Sequence, residues 1–336
     1  MRPDRDRQNS QVQEALVFLR KHKKFLLLGH QSPDGDCIGS MLALCAFLRQ
    51  IGKKAFCVFD DPLPQKYSFL NPAGCTISKE SLHWDDVDAV VSLDCGSPAR
   101  LAGKSFNDIS QAHLPLLCID HHQETPPFGH SNFIDPSASA TGELVYLLLD
   151  AANAEIQPEM ADALFAAIAA DTGSFSFSNT TVTIMEIAAH LIKCGADPVA
   201  VNENLFWTKS INELQLIALV VNRVVFLADG IIATSFVTLD DFSLHATRPT
   251  EDNDSLINTL RYLQGVRVAA LFKQIEVDQV KVSLRADRQY DVSEIARGFG
   301  GGGHRQAAGF TAQGTITEAI DLVVTSLLMM VERHAL

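Results

Sequence analysis

Three short apolar runs in this chain each stop at a residue that can bind a cation. Residues 25–29 lead into His30, residues 87–93 into Asp94, and residues 114–119 into Asp120-His121-His122. Runs of this length, rich in Val, Leu and Ile, read as buried parallel strands. In an open α/β sheet the carboxyl ends of such strands share one crevice, and ligands bind there. Residues far apart in sequence are therefore predicted to converge. The stretch His30-Gln31-Ser32-Pro33-Asp34-Gly35-Asp36 adds two carboxylates, and Asp171 follows the apolar stretch 163–170.

Each of these residues has an ordinary explanation when taken singly. An Asp at a strand end is often a helix cap or turn former, and a lone His is more often a core or surface residue than a ligand. Six of them at adjacent strand ends are hard to explain that way. Carboxylate oxygen with imidazole nitrogen suits a divalent ion such as Mn²⁺ or Mg²⁺ and requires no thiolate. His30, Asp34, Asp36, Asp94, His121 and Asp171 are enough for two ions with one carboxylate bridging. Two ions roughly 3.5–4 Å apart can activate a bridging water and brace an in-line displacement at phosphorus.

The intervening pattern alternates. Helices are predicted at 11–22, 37–50, 141–152, 158–170 and 180–193, and further strands at 54–59 and 131–134, which is the signature of a doubly wound parallel sheet. The helix at 37–50 starts directly after Asp36, so its N-terminal N–H groups would face the anionic site. Asp197 followed by Pro198 starts another helix, and 212–224 reads as an apolar-striped helix. Then the period changes to two. Strands are predicted at 223–228, 231–239, 266–275 and 280–286, with Asp229-Gly230 as a hairpin turn, and helices at 255–263, 292–297 and 317–334. The expected organisation is a metal-binding α/β domain over 1–195, a helical connector over 196–222 and a smaller α/β domain over 223–336.

Four consecutive glycines, 300–303, are expected to be neither ordinary helix nor strand. Such a run lets backbone N–H groups turn toward an anion, and His304 and Arg305, which follow at once, can both hold phosphate. On spacing alone a flexible linker is the alternative.

A chain of 336 residues is comfortable for two domains, and 47% hydrophobic with 20% charged residues is ordinary for a globular protein. The net charge of −13 argues against a broad basic face for long duplex DNA; two divalent ions would bring it to about −9. A nucleic-acid substrate would have to be short and met locally. No apolar h-region follows the polar start, and no apolar stretch approaches the ~20 residues of a membrane span. The seven cysteines include no Cys-x-x-Cys pair and are expected to be reduced, in the cytoplasm.

His30-x-x-x-Asp34-x-Asp36 followed by Gly39-Ser40, the isolated Asp94 and the triplet Asp120-His121-His122 resemble the DHH phosphoesterase superfamily. Gly300-Gly301-Gly302-Gly303-His304-Arg305-Gln306-Ala307-Ala308-Gly309-Phe310 is similar to the signature of the associated DHHA1 domain. Together, at this length, they resemble the bacterial nanoRNase and pAp phosphatase (RecJ-like) branch, over nearly the whole chain.

The resemblance implies a DHH domain joined by a helical connector to a DHHA1 domain. It implies hydrolysis of very short RNA to 5′-mononucleotides, removal of the 3′-phosphate of pAp, or both, with Mn²⁺ ahead of Mg²⁺. His30, Asp34 and Asp94 would hold one ion; Asp36, Asp94, His121 and Asp171 the other, with Asp94 bridging. His122 would act on the phosphate or the leaving oxygen, and Asp120 would orient a histidine. Gly301, Gly302, Gly303, His304, Arg305 and Arg285 would bind the rest of the substrate, with hinge motion between the domains. Two positions depart from the family pattern: Ala286 where Ser is frequent, and Gln306 where Asn is usual. The alternatives are a phosphodiesterase of linear or cyclic dinucleotides, with the same chemistry, and a non-catalytic nucleotide sensor.

Overall fold

Two sheets organise the chain. The computed structural model describes residues 5–60, 62–71, 74–101, 105–122, 126–249 and 254–335. These fall into two units, Met1–Thr208 and Lys209–Leu336. The first contains, in order, α1 (Arg5–Lys21), β1 (Lys24–Leu28), α2 (Gly35–Gln50), β2 (Lys54–Val58), β3 (Ala89–Leu93), α3 (Ser105–Gln111), β4 (Leu116–Asp120), β5 (Ser131–Ile134), α4 (Thr141–Ala151), α5 (Pro158–Asp171), α6 (Val182–Lys193) and α7 (Pro198–Asn202). Its five strands are all parallel, in the order β2-β1-β3-β4-β5. The order reverses between β1 and β3, and the strand ends beside such a switch open a crevice.

Both faces of this sheet are covered, as its uninterrupted apolar strands demand. Leu27, Val91, Leu117 and Ile119 pack with residues of α1, α2, α4 and α5, whereas Leu26, Leu28, Val90 and Leu116 pack with Ile109 of α3 on the other face. Helix α5 is rich in alanine, and this lets α2 approach closely: a Cβ on Gly39 would lie 2.2 Å from the Ala163 carbonyl oxygen. That contact carries the C-terminal end of α5 to the same sheet edge as the start of α2.

The second unit contains α8 (Ile211–Asn222), β6 (Val225–Leu227), β7 (Ile232–Val237), α9 (Leu239–Leu244), α10 (Asp254–Arg261), β8 (Val268–Glu276), β9 (Gln279–Ala286), α11 (Val292–Gly298), β10 (Gly302–His304), β11 (Ala307–Gln313) and α12 (Ile316–Ala335). The strand order is β10-β11-β9-β8-β7-β6, antiparallel except for β7 with β8. Strand alternation divides two cores: Val282, Leu284 and Phe310 pack with Val323 and Leu327 of α12, and Ala233, Ala269 and Leu271 pack with Leu216 and Val220 of α8.

Several expectations are corrected. Helix α2 begins at Gly35, two residues early, so Asp36 lies in its first turn and Asp34 is its N-cap. Helix α5 runs one residue further than expected and takes in Asp171 as its last residue. The boundary between units divides the expected connector: α8 packs in the core of the second unit. The glycine run is partly strand, since Gly302 and Gly303 pair with Gly309 and Ala308. Strand β11 and helix α9 were not anticipated, because Ala-Ala-Gly is a poor strand signal and a one-and-a-half-turn helix leaves little periodicity. Among the described residues no helix is long and apolar enough to cross a membrane.

Candidate metal centre

Three kinds of chain position deliver the six predicted ligands of the first unit: strand ends, a helix start and a helix end. His30 follows β1 and His121 follows β4. Asp34 and Asp36 flank the start of α2, where Asp34 Oδ1 accepts from the Asp36 and Cys37 amides at 3.0 and 3.1 Å. Asp94 follows β3 in the left-handed region, with φ of +56°, held by its amide on the Ile119 carbonyl at 3.0 Å. A non-glycine residue in that conformation stores strain, which is typical of functional positions. Asp171 closes α5.

The six residues meet in two groups that share Asp94. His30 Nε2 lies 3.9 Å from Asp34 Oδ1 and 3.7 Å from Asp94 Oδ2. His121 Nε2 lies 3.6 Å from Asp36 Oδ2, 3.7 Å from Asp94 Oδ1 and 3.0 Å from Asp171 Oδ2. Asp94 thus offers a different oxygen to each group. Most of these separations exceed a hydrogen bond yet suit one ion touching both atoms, since ligands about 2.1 Å from an octahedral ion lie about 3.0 Å apart in cis positions.

The imidazoles are set for ligation. Nδ1 of His30 donates to the Gln31 carbonyl at 2.8 Å and Nδ1 of His121 to the Ala138 carbonyl at 3.3 Å. Each ring therefore turns Nε2 toward the carboxylates, the tautomer that metal ligands adopt. The donor set, its tautomers and its concentrated charge all fit divalent metal.

His122 and Asp120 form a second layer. Buried Asp120 accepts through Oδ1 from His122 Nδ1 at 2.7 Å, from the His121 amide at 2.9 Å and from the His122 amide at 3.3 Å. Cys37 went unnoticed in the sequence: its sulfur and ligand atoms of His30 and Asp94 all lie within 4.8 Å of one another. Burial, then the charges of Asp94 and Asp34, push its thiol well above the ordinary value, and a protonated thiol is a poor ligand for a hard ion.

The electrostatics are those of carboxylates and imidazoles crowded together. Burial and then Asp94 hold Asp36 well above the usual carboxylate range. Asp34, whose side chain is 52% exposed, is raised as well, with Asp94 the neighbouring charge responsible. Burial would also raise Asp94, but His30, His122 and His121 outweigh it and hold Asp94 low. Burial pulls His30 down, while Asp94 and Asp34 outweigh it and raise His30 to about 9.

These shifts carry a sign. A His raised by folding stabilises the native state below its unfolded value, and that contribution is lost as pH rises through about 9. Raised Asp36 acts in the same direction, because folding favours its protonated form. Asp94, held low, loses its contribution only in acid below the ordinary carboxylate value. Metal-free protein is therefore expected to melt at a lower temperature at pH 9 than at pH 6. Saturating divalent metal should flatten that slope, because ligation strengthens as the ligands shed protons. Calorimetry with and without metal at both pH values checks this; parallel slopes would contradict it.

In the second unit, register decides which predicted residues share a face. His304 pairs with Ala307, and Ala307 with Arg285. Directly paired residues project to the same face of a sheet, so His304 and Arg285 flank the small Ala307. Gly302, Gly309 and Ser283 form the neighbouring row of that face. Arg305 is not brought to this row: its Nε lies 4.0 Å from Asp291 Oδ2 at the start of α11. The Ala286 departure falls on the opposite, buried face, where a hydroxyl could not reach a ligand beside Arg285. The Gln306 departure sits in the turn, where its carbonyl accepts from the Ala286 amide at 2.9 Å.

The glycines of the run differ in what the fold asks of them. A Cβ on Gly301 would lie 2.3 Å from the Gly309 carbonyl oxygen, and Gly303 has φ of +132° with the Ala307 carbonyl oxygen 2.6 Å from a Cβ. Gly302 has no such φ, and its Cβ would meet nothing within 4 Å. Gly303→Ala is expected to destabilise by more than about 1 kcal/mol, and Gly302→Ala to stay within roughly 0.5 kcal/mol of wild type. Denaturant melts of both variants test this. A hydrolytic defect in stable Gly302→Ala would assign that glycine to ligand approach.

Fold and site together define a class, an α/β protein with a candidate divalent-metal centre at the switch point of a parallel sheet. Residues 24–168 match the DHH family, N-terminal domain, and residues 235–330 match the DHHA1 domain. The chain belongs to the DHH family, in the branch that carries a DHHA1 domain. It is 32% identical over 291 residues to the bifunctional oligoribonuclease and PAP phosphatase NrnA of Thermus thermophilus, covering 85% of this chain and 83% of that one. The protein of the same name from Bacillus subtilis is 28% identical, covering 88% and 91%. The crystal structure of an exopolyphosphatase-related protein from Bacteroides fragilis superposes with a TM-score of 0.86 over 98% of both chains at 21% identity, a likeness of fold.

Proposed function

We propose that this protein hydrolyses very short RNA oligonucleotides to 5′-mononucleotides and removes the 3′-phosphate of pAp. The observation that carries the reading is the split of Asp94 between two ligand groups, one oxygen to each. The likeness to the Thermus and Bacillus proteins, each a bifunctional oligoribonuclease and PAP phosphatase by name, supports the substrate class. His30, Asp34 and Asp94 would hold one ion, and Asp36, Asp94, His121 and Asp171 the other. Mn²⁺ is the preferred metal in this reading, with Mg²⁺ the weaker substitute. When bound, the ions lower the pKa of an attacking water and offset charge on the phosphoryl oxygens.

The remaining chemistry belongs to side chains. Asp120 holds His122 Nδ1, so His122 would deliver its proton to the leaving oxygen through Nε2. His304 and Arg285, two strands apart on one face with only Ala307 between them, would bind a second phosphate and the base. Local recognition of this kind suits a chain of net charge −13. The seven unbridged cysteines fit a cytoplasmic setting.

The test is an assay of the purified protein with Mn²⁺ on pAp and on labelled RNA of two to five nucleotides. AMP and 5′-mononucleotides are the expected products, with none formed in excess EDTA. Undiminished hydrolysis after chelation would exclude the metal mechanism.

A further inference from the structure

Helix α4 begins without a cap of its own. The residue at its N-cap position is Ala140, whose methyl group can accept nothing. The first amides of the helix are buried, and buried N–H groups need partners. They find them on Asp36: the Thr141 amide donates to Oδ2 at 2.6 Å and the Gly142 amide to Oδ1 at 2.8 Å. Ser40 donates to the same Oδ1 at 3.1 Å. A carboxylate of the metal centre is therefore also the cap of a helix that begins more than a hundred residues later.

Thr141 reaches further. Its hydroxyl donates to Asp94 Oδ1 at 3.0 Å, the oxygen that faces His121. One fully buried residue thus touches two carboxylates, Asp36 through its amide and Asp94 through its hydroxyl. The turn before it continues the pattern. Ser139 Oγ donates to the Asn179 carbonyl at 2.7 Å, and Asn179 Nδ2 donates to the Asp171 carbonyl at 3.0 Å. The segment is itself held by Glu143, which accepts from the Ser139 amide at 2.8 Å. Residues 139–143 are tied to three of the four residues of the second ligand group.

We propose that Thr141 is a positioning residue of the metal centre: its hydroxyl fixes the rotation of the Asp94 carboxylate, and its amide fixes Asp36 against it. A carboxylate on a single bond can rotate, and a bridge works only if each oxygen points to its own ion. The hydroxyl occupies one side of Oδ1 and leaves Oδ2 toward His30. The inference rests on the two-ion reading of this centre.

The experiment is a Mn²⁺ titration of the chelated full-length protein, with free ion followed by electron paramagnetic resonance and thermal melts of the metal-free forms alongside. Thr141→Val keeps the branched shape and the amide and removes only the hydroxyl; Thr141→Ala removes it without risk of overpacking; Thr141→Ser restores it. Groups that orient metal ligands typically account for about 10- to 100-fold in affinity. That increase in apparent Kd is expected in the Val and Ala variants, with the Ser variant near wild type. Wild-type affinity in Thr141→Ala would overturn the proposal, even if the Val variant does not fold. So would a lowered metal-free melting temperature with unchanged affinity, or an equal affinity loss in the Ser variant. Failure of the wild type to bind Mn²⁺ would instead remove the two-ion reading itself.

Discussion

Asp94→Asn is expected to lower turnover of pAp by about 10³-fold or more, because it withdraws a charged ligand from both ions at once. Asparagine is the right replacement. The residue is 2% exposed and sits at φ of +56°, a conformation Asn tolerates and Ala resists. The fold should be retained, and bound metal should fall. kcat, metal stoichiometry and a thermal melt on one preparation decide the matter. A variant with near-normal kcat would reduce Asp94 to a turn former and remove the two-ion mechanism with it.

The second large effect is expected in the other unit. His304→Ala and Arg285→Ala should each lower kcat/KM for pAp or a dinucleotide, since a lost charge-assisted contact to phosphate is worth roughly 1.5–3 kcal/mol, or about 10- to 150-fold. Metal content should not change. Hydrolysis of bis-p-nitrophenyl phosphate should fall much less, because that ester offers neither a second phosphate nor a nucleobase. Equal losses on both substrates, or loss of metal, would assign these residues to the catalytic chemistry and refute a division of labour. Arg305→Ala is a useful contrast: its side chain is turned to Asp291, so a smaller effect is expected.

The parallel sheet and the candidate ligands at its strand ends were legible because an apolar run that stops at Asp or His states both the strand and its end. Asp171 was legible as a candidate ligand at the end of a helix, because the apolar stretch before it follows Pro158, a residue that favours the first turn of a helix. Thr141 carried no signal, being an uncharged residue whose partners lie 47 and 105 positions away. Cys37 was hidden by its place on an ordinary apolar helix. The faces of Arg285 and Ala286 were within reach, because adjacent strand residues point to opposite sides, and parity alone would have placed Ala286 in the core. The pairing of β10 with β11 was not within reach, since it depends on close backbone approach at Gly301 and Gly303 that composition does not express.

The six proposed ligand residues run from His30 to Asp171 and are spread over several strands and helices, so no unfolded segment can assemble the set. An ion that binds only the assembled form acts on the folding equilibrium by mass action, adding about 2.7 kcal/mol when free ion is a hundred times its dissociation constant. For a protein of ordinary marginal stability, that is a substantial share of what separates it from proteolysis. Scarcity of the ion would then do more than idle the active site. It would shorten the lifetime of the molecule, so that the abundance of this protein in a cell tracks the metal supply.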